Sequence, residues 1–340
     1  MSDLPRPGGA GGSSPDGAAG RTFLVTGGNT GIGHATAVAL ARDGGRVYIT
    51  SRSAAAGEAA VSAIKAAAGT QTVWQLPLDL ASLASVRSCA AQFLALDEPL
   101  HVLVNNAGVG GQRGQTEDGF EQHFGVNHLG HYALTSLLLE RLKASGPGAR
   151  IVNVSSEAHY DAPGVDFDAL RGRTRSFTGM REYAVSKLCN VLFTQELARR
   201  FTGLGVTSYA LHPGVVASDI WRRVPWPARA VIKRRMLTVD QGAVTSVYCA
   251  TSGAVLAESG LFYDKCQVRE PSPVATPELA GQLWTRSAEW TGVGLSPLDG
   301  VNAARRVIAA RGGPRRAAAR TARPGFPTGL RSSPDACPLR

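Results

Sequence analysis

Seven consecutive residues limit most strongly what this chain can fold into: Gly27-Gly-Asn-Thr-Gly31-Ile-Gly33. They follow a short β-type run, Thr22-Phe-Leu-Val-Thr26, and a helical pattern continues from them through Ala41. Strand, glycine turn and helix in that order is the setting a dinucleotide site needs. Glycines allow a tight turn and let the backbone approach a pyrophosphate, while the N–H groups opening the helix face the anion. The spacing is T-G-x-x-x-G-I-G rather than G-x-G-x-x-G.

The following pattern repeats the alternation. Arg46–Thr50, Thr72–Leu76, His101–Val104, Ala149–Val154 and Val206–Leu211 read as strands. Helical segments lie between them: Ala54–Ala68, a helix capped by Ser82 and running to about Leu96, a long helix over 117–143, and one from Tyr183 to about Arg200. A helix over Asp240–Ala250, a last strand over 260–263 and a helix over Pro277–Trp290 complete the pattern. Such alternation predicts an α/β fold with a doubly wound parallel sheet, Rossmann-type, in a single domain over 21–302. Ligands of these sheets bind at the carboxyl ends of the strands. Gly27, Arg52, Asp79 and Asn105 all fall there.

Arg52 bears on the choice of ligand. A site for NAD would place an acid after the second strand to hold the ribose 2′-hydroxyl. Here Ser51-Arg52 stands instead, and a guanidinium suits a 2′-phosphate. NADP(H) is therefore expected ahead of NAD(H).

Tyr183-Ala-Val-Ser-Lys187 puts a phenol and an ammonium four residues apart, on one face of a helix. A nearby cation favours a phenolate, so the pair is suited to proton transfer near neutral pH. Tyr160 has Gly164 at the equivalent spacing and no such cation. Asn127 sits within the helical region 117–143, where an amide competes for backbone hydrogen bonds, so a kink is expected.

Together, Thr26-Gly27-x-x-x-Gly31-Ile-Gly33, Asn105-Asn-Ala-Gly108, Asn127, Ser156, Tyr183-x-x-x-Lys187 and Pro213-Gly214 resemble, in order, the classical short-chain dehydrogenase/reductase family over residues 21–270. The segments His123-Phe-Gly-Val-Asn-His-Leu-Gly-His131 and Ser186-Lys-Leu-Cys-Asn-Val-Leu-Phe-Thr194 are similar to its retinol dehydrogenase and dehydrogenase/reductase-member branch, as is the long Ser-to-Tyr loop. The resemblance implies hydride transfer between an alcohol and an aldehyde or ketone. Tyr183 would be the general acid/base, Lys187 would bind the nicotinamide ribose and lower the Tyr183 pKa, Ser156 would hydrogen-bond the substrate carbonyl, and Asn127 would hold a relay water. Ser155 is the alternative to Ser156. Cofactor contacts are implied along Gly27, Gly28, Asn29, Thr30, Gly31, Ile32, Gly33, Arg52, Asp79, Asn105, Ala107, Gly108, Tyr183, Lys187, Pro213, Gly214 and Val216, with no metal. Members of this fold that have lost catalysis act as nucleotide sensors, and they lack the Tyr or the Lys that this chain has.

The pocket wall is expected from 157–182 and 215–238. Val215, Val216, Ile220, Trp221 and Trp226 suggest an apolar, retinoid-, steroid- or lipid-like carbonyl compound. Two Trp and six cations in 215–238 also raise peripheral membrane contact, but Pro225 and Pro227 interrupt any long helix there, and an ordinary lid with solvated Arg is favoured. Many retinol dehydrogenases have an N-terminal membrane anchor. This chain instead begins with a Gly/Pro/Ser-rich stretch, 1–20, expected to be disordered.

Charge and cysteine usage narrow the remaining classes. Nine Arg against one Asp in 303–340 account for eight of the ten net positive charges, so the body is only mildly basic. That Arg-rich tail is expected to be disordered and solvated, with no specific nucleic-acid partner. The five cysteines are widely spaced and odd in number, which favours reduced thiols in a cytoplasmic compartment. No apolar run is long enough for a membrane span and no secretory leader is visible. A homo-oligomer is compatible with the sequence, which does not determine the assembly.

Overall fold

The computed structural model describes residues 17–215 and 237–294. The two tails, together with Val216, Ile220, Trp221, Trp226 and the basic cluster around them, lie outside the described residues.

The chain runs β1 (Thr22–Val25), α1 (Gly31–Arg42), β2 (Arg46–Ser51), α2 (Ala54–Ala68), β3 (Val73–Pro77), α3 (Leu83–Ala95), β4 (Val102–Asn105) and a single turn α4 (Gln122–Phe124). A π-helical turn, Gly125–Leu129, leads into α5 (Gly130–Ala144), followed by β5 (Ala149–Val154), α6 (Met180–Phe201), β6 (Val206–His212), α7 (Val239–Thr251), β7 (Leu261–Asp264), β8 (Gln267–Val268) and α8 (Pro277–Thr291). The strands form one sheet in the order β3-β2-β1-β4-β5-β6-β7-β8. The pairs from β3 to β7 are parallel, and β8 closes the edge antiparallel to β7.

β1 pairs with both β2 and β4, so the strand order reverses beside it. A crevice opens there, at the carboxyl ends of the strands. Both faces of the sheet are covered, which is why the strands are apolar throughout. Phe23 and Val25 pack with Val47, Ile49, Val102 and Val104 on one side, while Leu24, Leu103 and Ile151 join Leu134, Leu138 and Phe193 on the other. Each such side chain contributes roughly 1.5–3 kcal/mol by leaving water.

One expectation needs correcting. Residues 117–121 are not helical. Asp118 Oδ2 accepts the Leu83 N–H (2.8 Å) at the start of α3, and Gly119 is in the left-handed region at φ +81°. Glu121 begins the helix instead, its carboxylate accepting the N–H groups of His123 and Phe124. The expected parallel sheet is present, and the short β7–β8 turn at Lys265 and Cys266 adds one antiparallel strand at its edge. The kink expected at Asn127 is the π-helical turn. None of the helices among the described residues is long and apolar enough to cross a membrane.

Candidate active site

The glycine turn is closed by volume. Gly27 and Gly31 have φ of +65° and +58°. A Cβ on Gly28 would stand 2.5 Å from Ile49 Cγ2, and one on Gly33 would stand 2.4 Å from Asn106 Nδ2 and 2.5 Å from the Gly27 carbonyl. Side chains at these positions would force α1 away from the sheet. A Cβ on Gly31 would meet nothing within 4 Å, so the mouth of the turn is open. Thr30 precedes α1 in an extended conformation without capping it, and the first turn carries no acid. The opening N–H groups of α1 are left for an anion. Asn29 and Ile32 are partly exposed on the rim.

The other predicted positions line the same edge. Arg52 is exposed at the end of β2 and no acid stands beside it in Ser51-Arg52-Ser53. Asp79 is half-buried, with Oδ1 accepting the Ala81 N–H (2.9 Å). Ala107 is half-buried and Gly108 exposed after β4. Asn105 points inward, donating to Asn153 Oδ1 (2.8 Å) and Thr135 Oγ1 (3.0 Å), so its side chain ties β4 to β5. Pro213 and Gly214 follow β6, partly exposed.

The reacting groups converge from three elements. Tyr183 lies in the first turn of α6, buried, its N–H donated to the Gly179 carbonyl (2.9 Å). Ser156 follows β5, its hydroxyl accepting the Ala158 N–H (3.2 Å) and standing close enough to the Tyr183 phenol to oppose the rise in its pKa. Lys187 stands one turn on, with Nζ 5.6 Å from the centre of the Tyr183 ring and donating to the Val154 carbonyl (3.0 Å). Asn127 sits in the π turn. Its Oδ1 accepts the Val109 N–H (2.8 Å), and its Nδ2 donates to the Val109 carbonyl (3.0 Å) and Ser186 Oγ (2.9 Å).

The short chain dehydrogenase family model matches residues 21–226. Retinol dehydrogenase 12 of Mus musculus is 44% identical over 81% of this chain and 87% of its own length. The chain belongs to the short-chain dehydrogenase family. Among solved structures, an uncharacterized protein from Mycobacterium Paratuberculosis is 34% identical (TM-score 0.66), covering 83% of this chain and 97% of that one. The Pseudomonas aeruginosa RhlG/NADP active-site complex is 27% identical (TM-score 0.60), covering 72% and 94%. As a short-chain dehydrogenase of the retinol dehydrogenase branch, the protein is an oxidoreductase acting on CH–OH groups.

The geometry separates the two serines of this short-chain dehydrogenase. Ser155 is buried and its hydroxyl donates to the Lys187 carbonyl (2.7 Å), whereas Ser156 is half-exposed beside the phenol. Electrostatics differ from the sequence-based expectation. Burial pushes the Tyr183 pKa up, and the hydrogen bond from Ser156 is what opposes it. Lys187 stands near the face of the ring, and burial lowers its own pKa to about 8. At neutral pH the pair is therefore a phenol beside an ammonium, the state from which a proton is given.

Thr26 and Asn106 escaped the sequence reading as individual contacts. Thr26 Oγ1 accepts the N–H groups of Asn106 (2.9 Å) and Ala107 (3.0 Å), and Asn106 Nδ2 donates to the Thr26 carbonyl (2.8 Å). The signal was present: each is a polar residue where an apolar strand ends.

Proposed function

We propose that this enzyme interconverts an alcohol and an aldehyde or ketone on an apolar compound, using NADP(H), with Tyr183 as general acid/base. The observation that carries the reading is the convergence of the Tyr183 phenol, the Ser156 hydroxyl and the Lys187 ammonium where the strands end. The crevice suits a dinucleotide. The open mouth at Gly31 and the uncapped start of α1 would take the pyrophosphate, and Arg52 the 2′-phosphate. Asp79, Asn105, Ala107, Gly108, Pro213, Gly214 and Val216 would line the remainder. When bound, a reduced nicotinamide supplies a hydride to a carbonyl carbon, and its oxidised form accepts one from a carbinol.

The chain's own groups would handle the proton. In reduction, Ser156 donates a hydrogen bond to the substrate oxygen as negative charge develops there. Tyr183 gives that oxygen its phenolic proton. The Lys187 ammonium stabilises the resulting phenolate, which is worth more in a buried site than in water. Oxidation of the alcohol reverses these steps. The apolar substrate class rests on Val215, which is exposed after β6, and on the relative named retinol dehydrogenase 12. NADP over NAD rests on Arg52, with support from the NADP named in the RhlG complex.

The test is NADPH consumption by the purified full chain over a panel of aldehydes and ketones, with Tyr183→Phe beside it. The variant keeps the ring and loses the transferable proton, so turnover should fall about 10²–10⁴-fold with NADPH binding kept. Near-normal turnover in Tyr183→Phe would remove Tyr183 from this role. A wild-type chain that binds NADPH and reduces none of the panel would be a nucleotide-responsive binding module.

A further inference from the structure

Three buried histidines stand directly behind the proposed reacting groups, and all three share one hydrogen-bond polarity. His159 is one turn past Ser156. Its Nδ1 meets the Ser156 carbonyl at 2.7 Å, and a carbonyl can only accept, so Nδ1 carries the proton. Its Nε2 then accepts the N–H of Ser272 (3.1 Å), 113 residues away. Tyr160 and Phe262 flank the ring, with centroids 3.9 and 4.6 Å away.

His131 repeats the arrangement in α5. Nδ1 meets the Asn127 carbonyl at 3.0 Å, and Nε2 lies 2.9 Å from Thr26 Oγ1. With the proton on Nδ1, Nε2 can only accept, and the Thr26 hydroxyl, which has the Val104 carbonyl at 3.3 Å as its other acceptor, donates to Nε2 at the shorter distance. The same hydroxyl oxygen accepts from Asn106 and Ala107. A single ring thus joins the π turn holding Asn127 to the residue that opens the glycine turn.

His123 does the same behind Tyr183. Nδ1 meets Glu121 Oε1 at 2.9 Å, and Nε2 accepts the Gln112 N–H at 3.4 Å. Thr174 donates to the same carboxylate oxygen (2.5 Å). The ring of His123 meets that of Tyr183 edge-on, with centroids 6.1 Å apart at 73°. The contact also fixes the start of α6: a Cβ on Gly179, whose carbonyl holds the Tyr183 N–H, would lie 2.9 Å from His123 Cε1.

We propose that His123, His131 and His159 are positioning residues: through its two ring nitrogens His159 ties Ser156 to the Ser272 backbone and His131 ties the Asn127 carbonyl to the Thr26 hydroxyl, while His123, fixed by Glu121 and Gln112 through its own two, packs its ring against Tyr183. The inference rests on the proposed roles of Ser156, Tyr183 and the glycine turn. Packing alone would be met by phenylalanine. What phenylalanine cannot supply is a donor at one ring position and an acceptor at the other. His128 serves as the control. It is buried in the same stretch, but its Nε2 faces Ser287 Oγ (3.1 Å) on α8.

The experiment compares His→Phe at all four positions in the full chain. It uses NADPH titration followed by nucleotide fluorescence, steady-state kinetics with a carbonyl from the panel, and thermal melting. His131→Phe should weaken NADPH binding about tenfold, since a lost buried hydrogen bond misplaces the Thr26 turn. His159→Phe and His123→Phe should each lower kcat about tenfold while NADPH binding stays within about twofold. His159→Asn and His131→Asn restore a donor near Nδ1 and should recover much of the loss. His128→Phe should shift only the melting temperature. Losses at all four positions that track melting temperature, or no loss at positions 123, 131 and 159, would overturn the proposal. A wild-type chain inactive on every carbonyl would instead sink the reacting-group reading, and the NADPH titrations of His131→Phe and His131→Asn would still decide the cofactor arm.

Discussion

The glycine turn and the reacting cluster share one edge of the sheet and are built on opposite plans. The turn is seven consecutive residues, shaped by the absence of side chains: Gly28 and Gly33 are pressed against Ile49 and Asn106 with no room for a methyl group. The cluster is the reverse. Asn127, Ser156 and the Tyr183–Lys187 pair come from three separate stretches, and Asn127 and Lys187 are held by side-chain hydrogen bonds to distant backbone. A site for a ligand common to many proteins can be made of backbone alone. A site that moves a proton needs particular functional groups, and those need further groups to hold them.

That contrast can be broken or sharpened by measurement. After Tyr183→Phe, the largest effect expected is from Ser156→Ala, about 10²-fold or more in kcat, the cost of removing one donor to a developing oxyanion. Ser155→Ala, one residue earlier, should cost roughly 1 kcal/mol of stability for the lost bond to the Lys187 carbonyl and leave kcat nearly intact. Equal kinetic losses in the two variants would erase the distinction between chemistry and support.

Acid comes next. Burial lowers His131 to about 4 and His128 to about 3 from an ordinary 6.5. Below pH 6.5 the unfolded chain takes up protons on these rings that the folded chain refuses. Stability should therefore be fully present above pH 6.5 and fall continuously as pH drops toward 4. Melting temperatures between pH 7 and 4 test this, and His131→Phe should flatten the slope. An unaltered slope would mean that other groups govern the acid limb.

Smaller effects belong to the turn's side of the comparison. Arg52→Asp should move the NADP-to-NAD ratio of kcat/KM toward NAD by about ten- to hundredfold, the scale of a hydrogen bond to a charged group. An unchanged ratio would place cofactor choice elsewhere, with Lys65 the next candidate. Last, Gly33→Ala should destabilise the fold by about 1–3 kcal/mol through overpacking against Asn106 and the Gly27 carbonyl. Chemical denaturation reads that directly, and an unaffected midpoint would show that the turn yields more easily than its contacts suggest.

The two plans also differ in how far they could be read in advance. The glycine turn was legible because strand, turn and helix are adjacent and each obeys local preferences. Tyr183 and Lys187 were legible because helical spacing alone brings them together. His159 was not, since nothing local in Ser156-Glu-Ala-His159 points to Ser272. The start of the Asn127 helix was misplaced because Asp118 serves a neighbour, α3, and Gly119 turns the chain in the left-handed region. β8 escaped notice because two exposed residues carry no periodicity. The burial that raises the Tyr183 pKa and lowers that of Lys187 was not legible, because spacing shows proximity and says nothing of burial.

The π turn at Gly125–Leu129 has a consequence for the length of the chain. Such a turn holds one residue more than an α-helix needs to cover the same path. Each residue advances a helix by about 100°. The extra residue is what lets Asn127 face Val109 and Ser186 while Leu134, Leu138 and Leu142 still face the core. Deleting one residue of the turn would let the segment wind as a regular α-helix over the same path, with the leucines still facing the core. What would be lost is the local register that holds the amide against Val109 and Ser186. The segment can change its letters far more readily than its count.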